Sequence, residues 1–417
     1  MKKTLLFVGG GIEALDGIKH ASALGFHTVV SDKNPDAPGL LAGDDRLIAS
    51  TYNAEETARV AESFHTTLRP IDGCVAIAAD VPQTLAAVNE RLGLPGLSPH
   101  AALGFADKLL MKDRLAAAGV PVPWYAPVSD ADHLKRLADD FGSEVVVKPV
   151  DSRGGRGVTR LSHCPDPDWA YWEAAHASPT GRVMVEAYLP GPQVSTESLV
   201  VEGRVHTVGF SDRNYDRLEV SAPYFIENGG DLPSALPEHE QTALRAVVER
   251  AALALGVVSG TIKGDLVWSS EGPHVIEMAG RMSGGFFCTR EIPLSTGFDF
   301  IGNAFRLAVG DPIDETALTS LAARPIVQRY AFPAPGTVLS IDNAETIRTR
   351  PGIEDLVLYV KPGDVINDHK NSTSRAAMVL ASGQSMTEAR QRAETAIEDL
   401  SIRIAPSPES WAHKETA

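Results

Sequence analysis

Thr261-Ile262-Lys263-Gly264-Asp265-Leu266-Val267-Trp268-Ser269-Ser270-Glu271-Gly272-Pro273-His274-Val275-Ile276-Glu277-Met278-Ala279 is the stretch on which the reading of this chain turns. Thr261–Trp268 and His274–Ala279 alternate in character, and Ser269-Ser270-Glu271-Gly272-Pro273 between them is a hairpin-loop signal. A loop centred on Glu271 sets Asp265 directly opposite Glu277, on one face and about 5 Å apart at Cβ. Like charges placed so close repel and call for a cation. Hard oxygen ligands suit Mg²⁺, which takes one or two carboxylates and completes its shell with phosphate oxygens. A solvated hairpin whose register slips by one residue has the same composition.

Four residues after Glu277 stands Arg281, in Glu-Met-Ala-Gly-Arg-Met-Ser-Gly-Gly. An arginine beside a metal–phosphate site can neutralise charge that develops in phosphoryl transfer, and Ser283, Gly284 and Gly285 allow close backbone approach to a ligand. Upstream, Val145-Val146-Val147-Lys148-Pro149 is an apolar strand that ends in a lysine, which is costly unless an anion pairs with it. Asp151-Ser152-Arg153-Gly154-Gly155-Arg156-Gly157-Val158 follows, able to turn backbone N–H groups and two arginines toward phosphates. It matches neither the Walker pattern nor the dinucleotide fingerprint. Lys108 opens a helix after Gly104 and can reach an anion near that helix start. Met184-Val185-Glu186-Ala187-Tyr188-Leu189 is a strand that stops in a short link able to offer backbone groups to a base edge.

The first hundred residues alternate strand and helix signals. Thr4–Val8, His27–Ser31, Leu47–Ala49 and Gly73–Ala78 read as strands. Helices run from after Gly11 to Leu24, over Ala54–Phe64 and over Val81–Leu92. Such alternation predicts a parallel, doubly wound sheet. Further helices are expected at about Ala106–Ala118, Asp130–Phe141, Glu238–Leu255 and Thr387–Leu400, with strands between them and a frayed tail after Ile404. The 417 residues carry 38 Lys+Arg against 54 Asp+Glu, a formal charge of −16. That balance argues against a nucleic-acid or anionic-membrane partner but leaves room for a local basic pocket. Three widely spaced cysteines support neither a disulfide framework nor a zinc site, which points to a reducing cytoplasm. The apolar run near the N-terminus is too short for a signal-peptide core, and no segment has the apolar length of a membrane span.

Taken in order, these motifs resemble the ATP-grasp superfamily over about residues 4–404. Within it the chain is most similar to the carboxylate–amine ligases of the L-amino acid ligase group. Glu-Met-Ala-Gly-Arg-Met-Ser-Gly-Gly, Pro223-Tyr224-Phe225-Ile226-Glu227 and Lys361-Pro362-Gly363-Asp364 carry that likeness. The resemblance implies an α/β ATP-grasp fold in three parts. These are a doubly wound parallel-sheet domain at 1–100, a central ATP-grasp domain at 101–320 with a lid subdomain at about 122–188, and an α+β domain at 321–417. It assigns ATP phosphates to Lys108 and Lys148, the lid over them to Ser152, Arg153, Gly154, Gly155 and Gly157, and adenine to Glu186, Tyr188 and Leu189. Gln193 would meet the ribose. Asp265 and Glu277 would bind Mg²⁺, as two ions bridged by phosphates, with Mn²⁺ as a substitute. Arg281 would stabilise the acyl phosphate and the tetrahedral intermediate, and Glu227, Ser283, Gly284 and Gly285 would lie with the amino-acid substrate.

Three positions depart from the family pattern: Gln193 replaces an acid on the ribose, Ala279 an asparagine beside the metal, and Gly230 a histidine of some dipeptide ligases. The function implied is ATP-dependent amide formation between a small carboxylate and an amine, through an acyl phosphate, with ADP and phosphate released by a cytoplasmic homodimer. Rival readings are an ATP-grasp carboxylase or purine-pathway ligase, a non-catalytic nucleotide-binding protein, and, from Gly9-Gly10-Gly11 with Asp32, a dehydrogenase.

Overall fold

The computed structural model describes residues 2–313, 315–319, 321–371 and 374–405. The tail expected to fray therefore lies almost wholly outside the described residues. The chain divides into two compact units of three stretches each. Met1–Pro123, Leu189–Phe210 and Ala235–Ala322 make the first; Trp124–Tyr188, Ser211–Ser234 and Ala323–Ala417 make the second.

In the first unit, four parallel strands lie in the order Asp45–Ile48, His27–Asp32, Thr4–Val8, Gly73–Val75. Thr4–Val8 is buried along its whole length, which is why it reads as a continuous apolar run. Helix Ala54–Thr67 starts at Asn53, whose side chain accepts the Glu56 N–H. Helix Pro82–Leu92 opens on its proline and stops at Gly93. The triglycine packs tightly within this layer. Gly39 donates its N–H to the Gly10 carbonyl at 2.7 Å. The N–H groups of Gly10 and Asn34 each donate to one oxygen of Asp32, both at 2.9 Å. The acid that a dinucleotide reading places on a ribose is thus engaged by the backbone.

The same unit contains antiparallel strands in the order Gly272–Ala279, Gly260–Ser269, Gln193–Val201, Arg204–Arg213, the last through Phe210. Helix Glu238–Ala254 covers them, packing Leu244, Val248 and Ala251 with Val194, Ile262, Leu266 and Val275. The helix expected at about Ala106–Ala118 is Lys108–Ala117, and a further helix not anticipated by the sequence, Pro99–Ala106, stands before it. The break falls at Asp107, whose extended backbone ends one helix and whose side chain accepts the Leu110 N–H at 2.9 Å to start the next.

The second unit has an antiparallel sheet in the order Tyr125–Val128, Val183–Ala187, Val145–Pro149, Thr159–Arg160. Helices Ala131–Phe141 and Pro167–Ala177 pack Leu134, Ala170 and Ala174 onto Val145, Val147, Val183 and Val185. Strand alternation then turns Lys148 and Glu186 to the other face. The second of these helices is not anticipated by the sequence reading, which has only strands there. Strands Gly230–Leu232, Ile326–Ala331, Ala377–Ser382 and Ile353–Leu358 pair antiparallel in that order, and helix Met386–Asp399 lays Ala389, Ala393 and Ala396 on them. Three short strands, Val365–Ile366, Gly336–Asp342 and Ser401–Ala405, form a separate antiparallel sheet. Among the described residues no helix is long and apolar enough to cross a membrane.

Candidate active site

The hairpin Gly260–Ser269/Gly272–Ala279 pairs Asp265 with Glu277, by a route different from the one its loop suggests. The turn consists of Ser270 and Glu271, so pairing begins at Ser269 with Gly272 and runs to Leu266 with Val275, one residue out of step with a loop centred on Glu271. A β-bulge between Leu266 and Asp265 leaves Ile276 unpaired and restores the register that sets Asp265 against Glu277. The buried ammonium of Lys112 donates to the freed Ile276 carbonyl at 3.2 Å. One helical turn earlier, on the same helix face, Lys108 places its ammonium 3.0 Å from Glu277 Oε1. Helix Lys108–Ala117 therefore fixes both the bulge and the carboxylate next to it.

Strand Gln193–Val201 extends this face. Ser195 lies opposite Asp265 and Glu197 opposite Lys263, which itself faces Ala279. Ser195 Oγ donates to Asp265 at 3.0 Å, and Lys263 reaches both Asp265 oxygens at 2.5 Å. Glu197 is fully buried, and burial pushes its carboxyl up to about 7 against the opposing pull of Ser283, Arg281 and Lys263. Gln193 begins the same strand, opposite Val267.

The residues after Glu277 leave the hairpin and turn. Met282 bonds in parallel fashion to Ala76 and Ala78, its N–H donating at 3.3 Å and its carbonyl accepting at 3.1 Å. Ser283 donates its N–H to Glu197, and Gly285 donates its N–H to Glu13 Oε2 at 3.0 Å. The small residues permit close approach, but to protein: a Cβ on Gly284 would stand 2.5 Å from Glu13 Oε2.

In the second unit Lys148 and Glu186 form a buried ion pair. Val146 is directly opposite Glu186, so Lys148, two residues along the same face, is its diagonal neighbour. Ala187 and Tyr188 donate their N–H groups to the carbonyls of Trp124 and Glu144 at 2.8 and 2.9 Å. The Tyr188 ring lies under the Arg160 guanidinium, 4.9 Å from its centroid. Arg160 is held by Glu144 and Glu219. These bonds raise the arginine above its ordinary value. Burial pushes Glu144 up, but the bonds from Arg160 and Ser162 outweigh it and hold the carboxyl low. The lid stretch turns through Gly154, Gly155 and Gly157, all with positive φ, a region glycine enters without steric cost. Ser152 and Arg153 are half-buried there. Glu227 accepts from Arg213 at 3.1 and 3.2 Å and from Arg375 at 3.4 Å. Gly230 has no space for the histidine of some dipeptide ligases, since a Cβ would meet Asp212 O and Ser211 Oγ at 2.8 Å.

Residues 105–285 match the ATP-grasp domain model, and residues 329–405 match L-amino acid ligase C-terminal domain 2. The chain carries an ATP-grasp domain and an L-amino acid ligase C-terminal domain. An L-amino acid ligase from Bacillus licheniformis superposes with a TM-score of 0.82 at 21% identity, covering 97% of this chain and 99% of that one. Phosphoribosylglycinamide synthetase from Anaerococcus prevotii gives 0.74 at 18%, covering 97% and 100%. These identities speak for the fold alone. A formate-dependent phosphoribosylglycinamide formyltransferase of Paraburkholderia xenovorans is 28% identical, covering 94% of this chain and 93% of that one. Carnosine synthase 1 of Gallus gallus is 27% identical over 74% of this chain, which spans 35% of that protein's length.

The hairpin offers a donor set suited to Mg²⁺. Asp265 and Glu277 each already hold a cation, the ammonium groups of Lys263 and Lys108. Among the described residues no cluster of three or more His, Cys, Asp or Glu is placed to hold a metal. A divalent ion on this pair must take the rest of its shell from phosphate and water. Lys263, Ser195, Glu197, Glu13, Lys112, Arg213 and Arg375 are absent from the sequence reading. Lys263 could have been found, because it lies two residues from Asp265 on the same strand face. The others come from registers and packing that no local pattern encodes.

Proposed function

We propose that this ligase joins a small carboxylic acid to an amine, an amino acid being the leading candidate for the latter, at the expense of ATP. The observation that carries the reading is the bulged register that brings Asp265 and Glu277 together beside Lys108, four residues before Arg281. A substrate carboxylate oxygen attacks the γ-phosphorus, the bond to ADP breaks, and an acyl phosphate forms. The amine nitrogen then attacks the acyl carbon. The C–N bond forms, the C–O bond to phosphate breaks, and the amine proton passes to solvent.

Lys108 and Lys148 bind phosphate oxygens, and Arg281 neutralises charge on the transferring group and on the tetrahedral oxygen. Mg²⁺ bound at Asp265 and Glu277 would supply further neutralisation of the phosphates. Ser152, Arg153, Gly154, Gly155 and Gly157 cover the phosphates and keep water from the acyl phosphate. Glu186, Tyr188 and Leu189 take the adenine, Gln193 the ribose, and Glu227 with Ser283, Gly284 and Gly285 the amino acid. The working domain map is 1–100, 101–320 with the lid at about 122–188, and 321–417. The natural setting is a cytoplasmic homodimer acting on small molecules, with two Mg²⁺ ions as the working count.

An ADP-release screen over amino acids and small acids in pairs, with product masses recorded, tests this reading. ADP release that needs both an acid and an amine, and that Glu277→Gln abolishes without loss of fold, is the expected result. Release of AMP, or turnover unchanged in Glu277→Gln, refutes it. A requirement for bicarbonate would turn the assignment to a carboxylase.

A further inference from the structure

We infer that Glu197 is a positioning residue, a buried carboxylate that holds the Arg281–Gly285 turn and so aims Arg281 at the transferring phosphoryl group. The inference rests on the ligase reading above. Glu197 has no exposed surface, so it is not itself a ligand to substrate or nucleotide. Both its oxygens accept from the Ser283 N–H at 3.2 Å, and it stands directly across the sheet from Lys263. A carboxylate in such a place is expensive, and a neutral group could serve one backbone N–H at far lower cost. The charge acquires a purpose from what surrounds it. Arg281 and Lys263 both interact with it electrostatically, and Lys263 lies on the face that carries Asp265 and Glu277.

The turn is anchored at three points: Met282 on Ala76 and Ala78, Ser283 on Glu197, and Gly285 on Glu13. The middle anchor also acts on Arg281, whose charge interacts with Glu197. The arginine has little to hold it otherwise. Its Nε is buried without a hydrogen-bond partner among the described residues, and its Nη1 donates to the neighbouring Met282 carbonyl at 3.3 Å. Its direction is therefore set by the turn and by the field of Glu197.

The test uses the full-length protein and a fluorescent ADP with Mg²⁺, with and without aluminium fluoride as a stand-in for the phosphoryl group in flight. In the native protein aluminium fluoride should tighten ADP binding, and Arg281→Ala should remove that tightening. Glu197→Gln, which keeps volume and one acceptor, should leave ADP affinity and melting temperature near native yet lose most of the tightening. With a productive acid–amine pair it should lower kcat by about 10²-fold with little change in KM for ATP. The double variant Glu197→Gln/Arg281→Ala should be no worse than Arg281→Ala alone, and Glu197→Asp should recover part of the loss. Full tightening in Glu197→Gln, or losses that multiply in the double variant, would overturn the inference while leaving the ligase reading intact. No tightening in the native protein counts against the role of Arg281 and so against the inference. No nucleotide binding at all removes the ligase reading and the inference with it.

Discussion

Lys148→Met should destabilise the second unit far more than a lysine-to-methionine change on a surface. Lys148 and Glu186 sit on the sheet face opposite the helices, as diagonal neighbours on adjacent strands. Their side chains are only 6% and 3% exposed. Methionine keeps most of the apolar stem, so little packing is lost. What remains is a carboxylate without its cation in a buried place, worth about 3–5 kcal/mol when one partner is removed. For a unit of this size, with a urea dependence of about 2 kcal/mol per molar, that is a fall of roughly 2 M in the unfolding midpoint. Trp124, Trp169 and Trp172 belong to this unit, so fluorescence in a Trp268→Phe/Trp411→Phe background reports on it. Lys148→Met/Glu186→Leu removes both charges and should recover most of the midpoint, while Mg·ATP affinity stays low because the phosphate ligand is gone. A single variant within about 1 kcal/mol of native would refute the argument, since the pair would then be screened by water rather than buried. A double variant with native nucleotide affinity would refute the phosphate role of Lys148.

Lys112→Met should cost about 1–3 kcal/mol by leaving the Ile276 carbonyl of the bulge without its buried donor; because the bulge sets Asp265 against Glu277, ADP release should fall as well, and thermal melting with the ADP assay reads both. Gly284→Ala places a Cβ 2.5 Å from Glu13 Oε2 and 3.0 Å from Ala78 Cβ, so it should destabilise by about 1–3 kcal/mol in urea unfolding. Glu144 has a folded value held below its ordinary 4.5, so its link to Arg160 contributes stability above that pH and loses it as the folded carboxylate takes up a proton. Arg160→Met should therefore raise the pH at which the second unit unfolds in acid, followed by circular dichroism; an unchanged acid midpoint would remove the link from the stability account.

What could be read from the sequence is what a single hairpin or one helix end holds together. Asp265 and Glu277 are twelve positions apart on one hairpin, and their pairing was legible even though the turn is tighter than its composition suggests and a bulge makes up the difference. The start of the helix at Lys108 was legible too, where the Asp107 side chain caps the Leu110 N–H, but helix Pro99–Ala106 just before it was not. Helix Pro167–Ala177 escaped because Trp169, Tyr171 and Trp172 give weak helical preference, and Ala170 and Ala174 find their support only on a sheet formed by other strands. The partners of the candidate ligands were beyond reach for a different reason. Glu197 meets Ser283 across 86 positions and Glu227 meets Arg375 across 148. These distant partners decide the charge of the site. In the first unit Asp265 and Glu277 are each matched by an ammonium, those of Lys263 and Lys108, so this carboxylate pair is balanced by the protein alone. A triphosphate would add several negative charges beside it. Cations beyond the protein's own phosphate ligands must then arrive with the nucleotide, which predicts that Mg²⁺ binding at Asp265 and Glu277 is weak until ATP is present. Tight Mg²⁺ binding by the nucleotide-free protein in calorimetry would contradict that charge count.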